Sequence, residues 1–150
     1  MIKIKRIYEA ADAGDGARIL VDRLWPRGVS KKKAGVDLWL KGCSINSKFS
    51  PLGSEKRRLA TFVRARNKVS GTAFKEIAPS DKLRKWFGHE PGKWPGFRRR
   101  YESELKGKGE EAGRILGLAR KSTVTLLYAA KDEERNNAAA LRDFLASRAG

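Results

Sequence analysis

A chain of 150 residues, 40% of them hydrophobic and 34% charged, is sized for one domain with its own core. Thirty-four Lys and Arg against 17 Asp and Glu leave a formal charge of +17, which suits a polyanionic partner: nucleic acid, a membrane surface or a small phosphorylated ligand. No apolar run approaches the roughly 18 residues of a membrane span, which argues against a membrane protein. The start, Met1 to Arg6, alternates apolar with basic and does not read as a signal peptide. A lone Cys43 and a lone His89 leave no intramolecular disulfide and no common zinc site, so the expected setting is the reducing cytoplasm, with no metal.

In chain order, Ile2 to Tyr8 alternates with period two and predicts a strand. Asp12 to Gly16 predicts a turn; it is acidic and lacks the phosphate-loop pattern. Ala17 to Asp22 is a short apolar run that predicts a second, more buried strand. It ends in Arg23-Leu24-Trp25-Pro26-Arg27-Gly28, where Pro and Gly forbid regular structure. Ser30 is a suitable cap for a helix over Lys31 to Leu40.

Residues 42–74 are rich in serine and carry a local charge of +6, leaving +11 for the other 117 residues. A helix is expected over Glu55 to Asn67 with loop on either side. Some 33 residues are too few for an independent core. Residues 42–75 therefore read as a basic, mobile insertion within a single domain spanning 1–150.

Beyond it, Ser80 should cap a helix over Asp81 to Gly88. Pro91 or Pro95 should open another through Leu105, with Trp94, Phe97, Tyr101 and Leu105 forming one apolar stripe. Glu110 to Arg120 predicts a third helix, Thr123 to Ala130 the strongest strand, and Asn136 to Ser147 a final helix. Strands separated by helices imply parallel pairing. The expected fold is a small, three-layer-like α/β domain, a short, mainly parallel sheet flanked by helices.

Three groups of residues resemble a known signature: Val21-Asp22-Arg23-Leu24-Trp25-Pro26-Arg27-Gly28, Trp86-Phe87-Gly88-His89 with Trp94 and Phe97 through Leu105, and Leu126 to Asp132 followed by Asn136-Asn137. Together they resemble the bacterial and archaeal family named "domain of unknown function 488", in its short YeaO-like branch, over roughly 1–41 and 76–148. In that pattern the segment ending Asp37 to Lys41 runs almost directly into Glu76 to Ser80, whereas here 34 residues intervene. The resemblance implies a small cytoplasmic α/β domain and no established activity.

Ligands of open parallel sheets bind beyond the C-terminal ends of the strands. Two segments leave strands in that manner: Asp22, Arg23, Trp25 and Arg27 after the second, and Lys131, Asp132, Asn136 and Asn137 after the strongest. If the strands are neighbours, both loops share one crevice. Arg23 and Arg27 would then offer guanidinium forks to a phosphate, Lys131 a point charge, Trp25 a stacking face, and Asn136 an anchor at a helix N-terminus. The plainer reading pairs Arg23 with Asp22 or Asp132, packs Trp25 under the sheet and makes Asn136 a helix cap. Asp22 and His89 are the candidates for proton transfer, although a His at a helix C-terminus also serves simply as a cation there. Tyr128 either points its hydroxyl at the crevice or packs in the core. Such an anion-binding crevice suits an enzyme acting on a phosphorylated or nucleotide-like small molecule; no cofactor is implied and no reaction type follows.

The alternative function is a non-enzymatic, largely sequence-independent nucleic-acid-binding domain that uses Lys56, Arg57, Arg58, Arg98, Arg99 and Arg100. The last three spread over about 200° of a helix, so part of that cluster faces solvent in any case. Contact of this kind would be phosphate-directed and salt-sensitive.

Overall fold

A computed structural model describes residues 1–39 and 77–150 of the chain. The expected helix over Glu55 to Asn67 and the insertion at 42–75 lie outside the described residues. Four strands, β1 (Ile2–Arg6), β2 (Ala17–Leu20), β3 (Leu38–Trp39) and β4 (Val124–Tyr128), form one sheet in the order β1-β4-β2-β3. All three pairings are parallel, with Ile4 opposite Leu126, Ile19 opposite Leu126, and Ile19 opposite Leu38. The central strands β2 and β4 are buried at every position, as parallel strands covered on both faces must be.

Alternation along the strands divides the core in two. Ile19, Val21, Val124, Leu126 and Tyr128 face a helical layer, and Leu20 and Leu127 face the other side. The helical layer consists of α2 (Asp81–Phe87), α3 (Trp94–Lys106), α4 (Gly109–Ala119) and α5 (Asn137–Ala149). The predicted stripe of α3 reaches the core through Phe97, Tyr101 and Leu105, all buried. Phe87, Trp94, Phe97 and Tyr101 form a chain of aromatic contacts between α2 and α3. The Tyr101 hydroxyl satisfies its buried position by donating to the Ile77 carbonyl at 2.7 Å. The opposite face carries a thinner layer: α1 (Lys31–Ala34) and the loop around Trp25 and Val29.

Caps set the helix starts. Ser80 accepts the Leu83 N–H at the start of α2, and its hydroxyl donates to Glu104 of α3 at 2.5 Å. Asn136 accepts the Ala139 N–H at the start of α5.

One expected element is corrected. The helix over Lys31 to Leu40 stops at Ala34, where Gly35 takes a left-handed conformation, and Leu38–Trp39 instead become β3. Pairing with Ile19 and Leu20, led in by the Asp37 N–H on the Arg18 carbonyl at 2.8 Å, outweighs the local helical pattern.

Candidate functional site

Because β2 and β4 are adjacent and parallel, the loops that follow them open on the same edge of the sheet. Val21 extends the ladder by one bond to the Leu127 carbonyl, which sets Asp22 beside Ala129. One Asp22 carboxylate oxygen accepts the Ala129 N–H at 2.8 Å, and the other accepts the Asn137 amide at 3.0 Å. The same Asn137 amide donates to the Val21 carbonyl at 3.1 Å. The Asp22 carbonyl accepts the Trp39 indole N–H at 2.9 Å. One residue thus joins β2 to β3, β4 and the start of α5. Burial pushes the Asp22 carboxyl above its ordinary pKa, against the Asn137 and Ala129 hydrogen bonds and the charges of His89 and Arg84.

Arg23 is half-buried and pairs with Asp81 at 3.5 Å, not with Asp22 or Asp132; Asp81 also meets Arg84 at 3.1 Å. Trp25 donates its indole N–H to the Val29 carbonyl at 2.7 Å and meets Trp39 edge-on at 5.4 Å. It packs partly exposed against the thinner-face core. Arg27 is exposed, and its carbonyl accepts the Tyr8 hydroxyl at 3.3 Å. In the second loop Lys131 is exposed. Asp132 accepts the N–H groups of Glu134 and Arg135, both at 2.9 Å, which hold its carboxyl below the ordinary value.

Asn136 is 1% exposed and fully engaged. Its amide donates to the carbonyls of Asp132 and Glu133, and its oxygen caps α5. It holds the loop and the helix end together. Asn137 of α5 reaches this edge with its amide, a role its position after the strongest strand did not indicate. An Asn-Asn pair shows that a cap is present but not which partner the second amide will find.

His89 follows the Gly88 that ends α2, is exposed, and has a positive φ of 59°. Its ring lies 5.5 Å from the Phe87 ring, centroid to centroid. Tyr128 packs in the helical-layer core at 3% exposure.

The α3 arginines diverge. Arg98 pairs with Asp143 of α5 at 3.3 Å, Arg99 is exposed, and Arg100 lies over the Trp86 ring at 4.0 Å. Lys56, Arg57 and Arg58 lie outside the described residues. Among the described residues no cluster of His, Cys, Asp and Glu could hold a metal ion, and no helix is long and apolar enough to cross a membrane.

Comparison with known proteins fits these motifs. The model of a family described as the inactive DUF488-N3 subclade matches residues 1–65 and 60–149. The chain belongs to the DUF488 family. It is 36% identical over 146 residues to the uncharacterized protein YeaO of Escherichia coli, covering 97% of each chain. It is 29% identical over 147 residues to the uncharacterized proteins Mb3100c of Mycobacterium bovis and Rv3073c of Mycobacterium tuberculosis, covering 98% of this chain and 95% of theirs. These matches support a YeaO-like DUF488 branch. No solved structure matches.

Proposed function

We propose that the edge of the sheet beyond β2 and β4 is an anion-binding crevice for a phosphorylated or nucleotide-like small molecule, and that the protein acts by binding rather than turnover. The observation that carries this reading is the Asp22–Ala129 hydrogen bond, which closes the two loops onto each other at the C-terminal edge. Arg23, Arg27 and Lys131 supply positive charge around it, and the exposed part of the Trp25 ring offers a face to a base. Binding without chemistry is supported by the word "inactive" in the description of the matching family. The reading includes a single domain with a basic insertion at 42–75 and a cytoplasmic setting.

The test is thermal denaturation with inorganic phosphate and nucleoside monophosphates. Wild type should be stabilised, and Arg23→Ala/Arg27→Ala should lose that stabilisation while keeping its far-UV circular dichroism. Absence of any shift, or unfolding of the double variant, overturns the assignment. If duplex or single-stranded DNA binds instead, with affinity falling steeply in salt, the nucleic-acid alternative takes its place.

A further inference from the structure

The edge beyond β2 and β4 is not a concentrated positive patch, although the chain carries +17. Arg23 and Arg84 share Asp81 at 3.5 and 3.1 Å, and Arg135 lies 3.8 Å from Asp132. Three of the cations here already meet acids, which suits one phosphate group better than a polyphosphate. Within this balanced edge Asp22 is an acceptor. An ionised carboxylate has about four lone-pair sites. Ala129 and Asn137 fill one on each oxygen and fix the orientation of the group, while the residue stays partly open to solvent. An oriented carboxylate with acceptor capacity left selects a ligand that donates hydrogen bonds. A ligand hydroxyl is such a donor.

We infer that the crevice takes a phosphomonoester of a polyhydroxylated compound, such as a sugar phosphate, with Asp22 accepting from a ligand hydroxyl while Arg23 and Arg27 hold the phosphate. This rests on the anion-binding reading above and adds the part of the ligand that is not phosphate.

Titration calorimetry with ribose 5-phosphate and methyl phosphate, on wild type and on Asp22→Asn, tests it. A charge-assisted hydrogen bond is worth roughly 1.5–3 kcal/mol, so wild type should prefer ribose 5-phosphate by about tenfold or more. Asp22→Asn should weaken ribose 5-phosphate about tenfold while leaving methyl phosphate unchanged or tighter, because a negative charge is gone. Equal affinity of wild type for the two compounds overturns the hydroxyl reading and leaves the anion reading standing. A parallel loss of both in folded Asp22→Asn reduces Asp22 to a loop latch and also overturns it. Binding of neither compound by wild type removes both readings. Should Asp22→Asn fail to fold, 2-deoxyribose 5-phosphate on wild type decides: affinity equal to that of methyl phosphate supports the inference if ribose 5-phosphate binds tighter, and equal affinity of all three overturns it.

Discussion

Arg18 and Asp15 form an ion pair inside the thinner face of the sheet, both nearly excluded from solvent at 2% and 5% exposure. The guanidinium also donates to the Ala34 carbonyl from Nε at 3.3 Å and Nη2 at 3.0 Å, which ties α1 to β2. Asp15 is met from β1 by Lys5 at 3.1 Å, and its carbonyl accepts the Thr125 hydroxyl of β4 at 2.7 Å. The acidic turn before β2 is thus an internal counter-charge to a strand arginine. Arg18→Met leaves Asp15 buried with Lys5 alone and should cost about 3–5 kcal/mol in urea denaturation. Arg18→Met/Asp15→Leu should recover much of that loss, because two charges no longer need company.

Stability against pH should carry two contributions of opposite sign. Burial pushes the Asp15 carboxyl up, but the Asp12 N–H and the Lys5 and Arg18 side chains outweigh it and leave its pKa lowered. The unfolded chain therefore binds more protons than the native one. Stability from Asp15 is present above its unfolded pKa of about 4 and lost as pH falls through the lower, folded value. For Asp22 the folded pKa is raised, so its contribution is present below about pH 4 and lost as pH rises through the folded value. Urea midpoints across pH 2 to 7, a range chosen around the roughly 4 of free carboxylates, should show a flattened acid limb in Asp15→Asn. In Asp22→Asn the decline above about pH 4 should disappear.

Gly16 has φ 63° and ψ −131°, and a Cβ there would stand 2.0 Å from the Thr123 carbonyl oxygen. That carbonyl accepts the Ala17 N–H at 2.9 Å, so it cannot retreat without loosening the join between β2 and β4. Gly16→Ala combines backbone strain with a main-chain clash and should lose at least about 3 kcal/mol. Gly113→Ala, where nothing lies within 4 Å of the added Cβ, is the matched control and should be neutral or stabilising.

The strands and helices were legible because their patterns are local. The alternation of Ile2 and Ile4, the apolar run of β4 and the caps Ser80 and Asn136 all follow from sequence neighbours. Leu38 and Trp39 misled because two apolar residues after a short helix fit either a continued helix or an edge strand. Only Ile19 and Leu20, nearly twenty positions earlier, decide it. At the site, the adjacency of the two loops was reachable from the parallel α/β pattern. The hydrogen bonds were not, because the partners of Asp22 are a backbone N–H 107 residues away and an amide 115 residues away. Arg23 found Asp81 for the same reason: the start of α2 is brought to it by the fold.

Asn137 gives the sharpest check on the site's construction. Its amide reaches both the Val21 carbonyl and the Asp22 carboxylate, so truncation removes two hydrogen bonds at one join. Asn137→Ala should cost about 1–3 kcal/mol, at the two-bond level for partly solvated groups. The discriminating readout is the Asp22 carboxyl itself. The Asn137 hydrogen bond opposes the upward push of burial, so its removal should raise the Asp22 pKa further in a carbon-13 carboxyl titration. Asn137→Ser, which keeps a donor on a shorter side chain, should fall between Ala and wild type. An Asp22 titration that does not move in Asn137→Ala would show that the amide serves only the Val21 carbonyl. The coupling between α5 and the loop after β2 would then run through the backbone alone.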